Sequence, residues 1–168
     1  MLYKGIALTT ASLPQFTIAA NGDFSVSVTA APSPAASPEG GTETILVVED
    51  EPALRRLARR VLQRYGYRVF EAETGVEALT VWQRHASEID LLLTDMVMPE
   101  GMNGRELAER LRYEKQQLRI IYTSGYSMDV IRQNLILGAG VALLPKPYQP
   151  ATLVRAVRGC LDGSQRSI

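Results

Sequence analysis

The sequence predicts a doubly wound α/β fold, in which helices cover both faces of a five-stranded parallel sheet with strand order 2-1-3-4-5. From Thr42 onward, short apolar segments alternate five times with segments of helical periodicity. Such alternation is typical of right-handed βαβ crossovers, which place successive strands parallel. The apolar segments are nearly continuous, as expected of strands that are buried on both faces. Five units of this kind fit the strand order of an open, doubly wound sheet.

The first strand and helix are predicted between residues 44 and 66. The segment TILVV at 44–48 is apolar and rich in β-branched residues, and Glu49, Asp50, Glu51 and Pro52 follow it. Apolar residues then recur at helical spacing, at Leu54, Leu57, Ala58, Val61, Leu62 and Tyr65. Arginines lie mostly off this stripe, at Arg55, Arg56, Arg59, Arg60 and Arg64. Gly66 is predicted to end the helix, because helices commonly need a left-handed residue there.

Four further strands and helices follow. The predicted strands are residues 67–70, 89–95, 118–124 and 141–145. The predicted helices are residues 74–86, about 103–114, 126–137 and 150–161. In the helix over 74–86, Val76, Leu79 and Trp82 are expected to face inward, whereas His85 is expected to be exposed. The last helix is expected to face inward with Leu153, Val154, Val157 and Leu161.

The residues before Thr42 are organised differently. Residues 1–30 are predicted to be an N-terminal tail with a β-hairpin around Asn21-Gly22, which is a favourable hairpin turn. Residues 31–41 read APSPAASPEGG and are interpreted as a linker, because they offer little apolar surface to bury. The predicted folded domain covers 42–163, and 164–168 form a C-terminal tail.

Composition excludes several function classes. Lys and Arg number 18, and Asp and Glu number 18, so the formal net charge is zero and gives no global attraction to nucleic acid or to an anionic membrane. The single cysteine, Cys160, excludes an internal disulfide and fits a reducing compartment. No apolar segment approaches the roughly 18 residues that span a bilayer. We therefore expect a cytoplasmic protein that contacts neither nucleic acid nor a membrane directly.

Polar residues follow several predicted strands at the point where each strand ends. Glu49 and Asp50 follow the first strand, Asp95 ends the third, Thr123 lies at the end of the fourth, and Lys146 follows the fifth. Ligands bind at the carboxyl ends of the strands in open parallel sheets, near the point where strand order reverses. These side chains are therefore expected to converge at one rim of the sheet.

Three carboxylates at one rim would repel one another, and a bound cation would relieve this repulsion. Because all these ligands are oxygens, we expect Mg²⁺, with Mn²⁺ as an alternative. A carboxylate such as Asp95 can act as a nucleophile and form an acyl phosphate. Lys146 would act as a point charge and Thr123 as a hydrogen-bond donor, which stabilise the charge of the transferring phosphoryl group.

Four segments resemble the response regulator receiver domain of two-component systems. They are ILVVEDEP at 45–52, LLLTDMVMPEGMNGREL at 91–107, IIYTSGY at 120–126 and LLPKPY at 143–148. The resemblance covers roughly 42–162 and implies a flavodoxin-like receiver fold. It also implies Mg²⁺-dependent phosphoryl transfer to Asp95 from the phosphohistidine of a histidine kinase or of a histidine phosphotransfer protein.

Further roles are carried over by position from this resemblance. It assigns catalytic roles to Asp95, Thr123 and Lys146. It assigns the metal ligands Asp50, Asp95, Glu49 through a bound water, and the Val97 carbonyl. A cis bond is implied between Lys146 and Pro147. The domain would not be an enzyme beyond its own phosphorylation and dephosphorylation, and the segment before it resembles the end of a histidine-kinase ATPase domain. The chain is therefore interpreted as a candidate C-terminal receiver of a hybrid histidine kinase.

Two departures from the family pattern lead to separate expectations. The position usually held by a switch aromatic, three residues before Lys146, is Leu143, which puts the usual aromatic coupling in doubt. Val97 and Gly125 cannot orient an attacking water, so slow self-hydrolysis of the acyl phosphate is expected. Phosphorylation is expected to switch a partner-binding surface formed by the fourth predicted helix, the fifth strand and the last helix, through which a homodimer is a further option.

Two alternatives from other classes are weighed beside this interpretation. Taken singly, each polar residue has an ordinary explanation as a helix cap, a turn or a strand end. A receiver-like module that binds partners without phosphorylation is the first alternative. An aspartate-nucleophile phosphatase or a nucleotide-binding protein is the second, although Val97 stands where such phosphatases carry a second carboxylate and no GxxxxGK[ST] segment is present.

Overall fold

The computed structural model describes residues 15–18, 24–27, 40–98, 101–125 and 140–163. The chain divides into two units, Met1–Ala36 and Ser37–Ile168. In the first unit, strand β1 (Gln15–Ile18) pairs antiparallel with β2 (Phe24–Ser27). The predicted turn at Asn21-Gly22 and the tail at 164–168 lie outside the described residues, as does most of the predicted linker. The predicted boundaries of the tails, linker and domain stay predictions.

A five-stranded parallel sheet forms the centre of the second unit. Its strands are β3 (Thr44–Val48), β4 (Arg68–Ala72), β5 (Ile89–Asp95), β6 (Arg119–Ser124) and β7 (Val141–Pro145). All neighbouring pairs are parallel, and the strand order is β4-β3-β5-β6-β7. Numbered within this sheet, the order is 2-1-3-4-5, so the predicted fold is confirmed.

Helices cover both faces of the sheet. They are α1 (Pro52–Arg64), α2 (Gly75–His85), α3 (Gly104–Glu114) and α4 (Pro150–Leu161). One core cluster joins the sheet to α1 and α4, and the other joins it to α2 and α3. The predicted helix over 126–137 lies outside the described residues. None of the helices in the part of the chain that the structure describes is long and apolar enough to cross a membrane.

Local sequence explains where these helices begin and end. Pro52 opens α1, and Gly66 follows its end with a φ of 93°, a left-handed conformation that favours glycine. Thr74 caps α2 by accepting a hydrogen bond from the Glu77 backbone N–H. Asn103 and Glu106 form a reciprocal capping box at the start of α3. The starts of α1, α2 and α3 therefore each have their own local signal.

Two side-chain expectations were wrong. Val76 was expected to face inward but is 61% exposed, because α2 turns other residues toward the sheet, including Ala78. Gly75 packs against Met102, with no room for a side chain on that face. His85 is partly buried rather than exposed, since its ring stacks on Phe70 at 4.2 Å between centroids and pairs with Glu88.

Gly104 brings α3 close to the end of β5. A side chain at this position would overlap the carbonyl oxygen of Asp95 and contact the Thr94 hydroxyl. The Gly104 N–H donates to the Met96 carbonyl at 3.3 Å. The absence of a Cβ therefore lets the loop after β5 fold tightly against its own helix, which fixes the backbone around Asp95.

Candidate functional site

The polar residues predicted to converge lie at the carboxyl ends of four strands. Glu49 follows β3, Asp95 ends β5, Thr123 lies near the end of β6, and Lys146 follows β7. Asp95 lies directly opposite Thr123 in the parallel register of β5 and β6. Because β3 and β5 are neighbours at the centre of the sheet, the two acidic strand ends lie side by side.

Three carboxylates form a compact cluster at this rim. One carboxylate oxygen from each of Glu49, Asp50 and Asp95 lies within 4.8 Å of the other two. Glu49 is only 3% exposed and Asp95 only 9% exposed, whereas Asp50 is half-buried. Like charges at this separation, two of them removed from water, require compensation by a cation.

Lys146 provides part of that compensation. Its Nζ lies 2.5 Å from Asp95 Oδ2 and 2.7 Å from Glu49 Oε2. The bond between Lys146 and Pro147 is cis, as the resemblance implies. Burial favours a lower pKa for Lys146, but its hydrogen bonds to Asp95 and Glu49 outweigh burial and raise the pKa. Lys146 is therefore held in its charged form between two carboxylates.

Burial has the opposite effect on Glu49. Desolvation raises the pKa of its carboxyl group above the ordinary value, and the hydrogen bond and charge of Lys146 do not fully offset it. The charge of Asp95 raises the pKa further. Three carboxylates lie in this cluster and Lys146 contacts two of them, so among these residues negative charge is in excess.

Backbone and hydroxyl groups complete the surroundings of Asp95. The Val97 N–H donates to Asp95 Oδ1 at 3.1 Å, so both carboxylate oxygens have a donor. Thr123 is buried, and its Oγ1 has no hydrogen-bond partner among the described residues. Since buried hydroxyls rarely lack a partner, the Thr123 hydroxyl is a donor available to an additional group at the rim.

The donor set fits a hard divalent cation. Its three carboxylates are supplied by Glu49, Asp50 and Asp95, without a histidine or cysteine in the cluster. Mg²⁺ prefers oxygen ligands and is typically held by one or two carboxylates together with waters and phosphate oxygens. The residues present therefore fit Mg²⁺, in agreement with the expectation from the sequence.

The two residues predicted not to orient water border the site. The Val97 side chain is 57% exposed, and Gly125 is also exposed, with open space where a side chain would be. Leu143 is partly buried and packs against the core cluster on the α2 and α3 side of the sheet. Val97 and Gly125 therefore lie where the sequence placed them. The expected slow hydrolysis stays a prediction.

Sequence reasoning did not single out Arg55. This residue was grouped with the arginines that lie off the apolar stripe of α1, but its side chain is only 16% exposed. Its Nη1 donates to the backbone carbonyls of Glu49 and Asp50, at 2.5 and 3.3 Å. Its location in the first turn of the helix that follows the acidic pair is a signal that could have identified it.

Comparison with known proteins agrees with this geometry. The family model of the response regulator receiver domain matches residues 45–158. Over 122 residues, the chain is 40% identical to the sensor kinase CckA of Brucella abortus, covering 73% of this chain and 13% of that kinase. It is 32% identical to the sporulation initiation phosphotransferase F of Bacillus subtilis, covering 69% of this chain and 91% of that protein.

A solved structure gives the same result. The response regulator TrrA of Thermotoga maritima, crystallised in complex with Mg²⁺ and BeF, superposes with a TM-score of 0.61 and is 34% identical. The match covers 70% of this chain and 98% of that one. The matched family model, the fold and the acidic rim lead to one conclusion: the chain belongs to the response regulator receiver domain family of two-component signalling.

Proposed function

We propose that this receiver domain accepts a phosphoryl group on Asp95 from the phosphohistidine of a histidine kinase or of a histidine phosphotransfer protein. An oxygen of the Asp95 carboxylate forms a bond to phosphorus while the bond from phosphorus to the imidazole nitrogen breaks. The imidazole nitrogen retains the electron pair of the broken bond, and the product on this chain is an acyl phosphate. In this role the domain promotes only its own phosphorylation and dephosphorylation.

The residues around Asp95 have separate tasks in this reaction. Lys146, which pairs with Asp95 at 2.5 Å, would exchange part of that contact for the incoming phosphoryl oxygens. Thr123 would donate its unpartnered hydroxyl to the same group. The Val97 N–H, at 3.1 Å from Oδ1, orients the attacking carboxylate. Positioning and charge stabilisation by these groups account for most of what phosphoryl transfer requires.

Mg²⁺ would be held by Asp50 and Asp95 directly, by Glu49 through a water, and by the Val97 carbonyl, with Mn²⁺ as an alternative. When bound, the ion supplies positive charge that offsets the phosphoryl oxygens and the carboxylates together. The surplus of negative charge around Lys146 supports this assignment. So does the likeness to TrrA, which was crystallised with Mg²⁺ and BeF.

The donor and the output follow from the same proposal. The chain spans 13% of the sensor kinase CckA and 91% of the phosphotransferase F. Either a receiver within a hybrid kinase or a separate relay protein therefore fits, acting in the cytoplasm. Phosphorylation would switch a partner-binding surface formed by the helix predicted over 126–137, β7 and α4, through which a homodimer is an additional option.

One observation carries the proposal: three carboxylate oxygens within 4.8 Å of one another, beside a lysine that contacts two of the carboxylates. The test is incubation with acetyl phosphate and MgCl₂, followed by intact mass measurement. We expect the mass of one phosphoryl group on the wild-type chain and none on Asp95→Ala. Omission of MgCl₂ should abolish the adduct.

A second measurement separates a phosphorylated receiver from a module that only binds partners. Beryllofluoride with MgCl₂ should stabilise the wild-type chain against thermal unfolding and leave Asp95→Ala unchanged. Asp90→Ala is the matched control, because Asp90 lies at the opposite end of β5 and accepts a hydrogen bond from the Thr44 N–H. Phosphorylation of Asp95→Ala to the wild-type level would rule out the proposal.

A further inference from the structure

Arg55 links the acidic pair after β3 to the connection between β4 and α2. We propose that it is a positioning residue for the divalent-cation site, which holds the backbone of Glu49 and Asp50 so that their carboxylates stay at the rim. The inference rests on the proposed function, because it concerns the site that would hold Mg²⁺. It assigns a role to a residue that touches neither the ion nor the phosphoryl group.

The contacts of the guanidinium group define this role. Nη1 donates to the carbonyl of Glu49 at 2.5 Å and to that of Asp50 at 3.3 Å. Nη2 donates to Glu73 Oε2 at 3.2 Å. A planar guanidinium can bridge several acceptors at fixed angles, which a lysine ammonium on a flexible chain does not reproduce. Arg55 therefore ties two successive carbonyls to a third point outside the loop.

Asp50 depends most on this contact. Among the described residues, Lys146 contacts Glu49 and Asp95, whereas no hydrogen bond holds the Asp50 carboxylate. The direction of that carboxylate is therefore set mainly by the backbone that carries it. Arg55 contacts the Glu49 carbonyl, which precedes the Asp50 N–H, and the Asp50 carbonyl, which follows its Cα. It therefore restricts rotation of the two peptide groups that set the direction of the Asp50 side chain.

Arg55 is itself anchored at both ends. Its backbone N–H donates to the Glu51 carbonyl at 3.0 Å, in the first turn of α1. At the other end, the backbone N–H of Glu73 donates to Glu77 Oε2 at 2.7 Å, in the first turn of α2. Arg55 therefore connects the first turn of α1 with Glu73, which is itself bonded to the first turn of α2. The backbone of the acidic pair is held between these two anchors.

Groups behind a metal ligand that set its orientation commonly affect metal affinity strongly. Loss of such a contact typically weakens metal binding by about 10- to 100-fold. The contact at Arg55 acts through backbone carbonyls rather than on the carboxylates, so the lower end of that range is expected. The positive charge of the guanidinium also repels the ion. If Arg55 acted only through its charge, its removal would therefore strengthen Mg²⁺ binding rather than weaken it.

The test measures Mg²⁺ binding directly, without phosphorylation. MgCl₂ is titrated into the ¹⁵N-labelled full chain, and the amide shifts of residues 49–51 give the dissociation constant. We expect Arg55→Ala to bind Mg²⁺ about tenfold more weakly than wild type. Arg59→Ala is the matched control, since Arg59 lies one turn later on α1 and pairs with Glu71 at 2.8 Å without contact to the acidic pair. It should bind Mg²⁺ like wild type.

Two further variants keep the result interpretable. Glu73→Ala leaves Arg55 in place but removes its outer anchor, so a smaller loss of Mg²⁺ affinity is expected. Arg55→Lys should restore only part of the affinity, because one ammonium cannot hold both carbonyls and Glu73 together. If Arg55→Ala does not fold, these two variants give the answer, and wild-type affinity in both would overturn the inference.

The outcomes also separate this inference from the proposed function. Wild-type Mg²⁺ affinity in Arg55→Ala would overturn only the role of Arg55. An equal loss in Arg55→Ala and Arg59→Ala would also overturn it, since a general effect of arginine removal would then explain the change. Absence of any Mg²⁺ response in the wild-type chain would instead overturn the proposed function.

Discussion

The two rims of the sheet use the same kinds of charged residue in opposite ways. Glu43 precedes β3 and Glu49 follows it, so one strand carries a glutamate to each rim. At the amino-end rim, a hydrogen bond from Arg158 lowers the pKa of Glu43. At the carboxyl-end rim, burial raises the pKa of Glu49 despite its contact with Lys146.

The difference arises from how many cations contact the carboxylates at each rim. At the amino-end rim, carboxylates are paired with nearby cations: Glu43 and Asp162 with Arg158, and Glu88 with Arg68. At the carboxyl-end rim, three carboxylates are clustered and Lys146 contacts only two of them. The first arrangement stabilises the fold as it stands, whereas the second is complete only with an additional cation.

The largest expected effect comes from removing Lys146, the cation that contacts two of the clustered carboxylates at the carboxyl-end rim. Lys146→Ala should reduce phosphorylation by acetyl phosphate about 100-fold, as for loss of a charge-stabilising donor. It should also lower the free energy of unfolding by about 2–3 kcal/mol without Mg²⁺, because two buried carboxylates lose their partner. Intact mass and urea unfolding measure the two effects.

Lys115→Ala is the matched control for that variant. At the amino-end rim, Lys115 Nζ donates to the carbonyls of Ala86 at 3.0 Å and Ile89 at 2.7 Å. Its removal should destabilise the fold while the rate of phosphorylation stays unchanged. Equal losses of phosphorylation in the two lysine variants would mean that the rims do not differ in the way described.

Val97→Asn sharpens the comparison at the site itself. An amide at this exposed position could orient water toward the acyl phosphate, so its half-life should become shorter by roughly tenfold. The decay of the phosphorylated mass with time measures the rate. Val76→Asn changes an equally exposed valine on α2 and should leave the half-life unchanged. A half-life in Val97→Asn as long as in wild type would refute the expected slow hydrolysis.

Asp50→Asn should increase stability, in contrast to most substitutions. Removing one of three clustered carboxylates relieves repulsion and should raise the free energy of unfolding by about 1 kcal/mol without Mg²⁺. The thermal shift that MgCl₂ produces should be lost. Asp90→Asn at the amino-end rim should not increase stability, since Asp90 accepts a hydrogen bond from the Thr44 N–H at 2.9 Å. Destabilisation by Asp50→Asn would contradict the excess of negative charge.

The smallest effect is expected at Glu43. Because Arg158 lowers the folded-state pKa of Glu43 below its ordinary value of 4.5, the pair stabilises the fold fully above that value. This stabilisation is lost as the pH falls through the folded-state pKa. Since the pair is partly exposed, Glu43→Gln should cost less than about 1 kcal/mol at pH 7. The difference from wild type, followed by urea unfolding, should vanish in acid.

Much of the site could be predicted because strand ends in a parallel sheet are ordered by topology. Once the alternation of strands and helices indicated the sheet, Asp95, Thr123 and Lys146 had to approach one another. Burial of Val76 was predicted wrongly, since helical periodicity identifies a stripe but not which edge of it faces the sheet. The contact of Arg55 with two carbonyls is not a periodic signal at all.

The sequence by itself determined the alternation of strands and helices and the oxygen-rich chemistry of the rim, because apolar periodicity and residue type are local properties. Only the tertiary structure decided how charge is balanced there. Whether Glu49 has a raised pKa, or whether Arg55 points to solvent or to a backbone, depends on burial and on distances between residues far apart in the chain. Those quantities exist only after the strands and helices have packed.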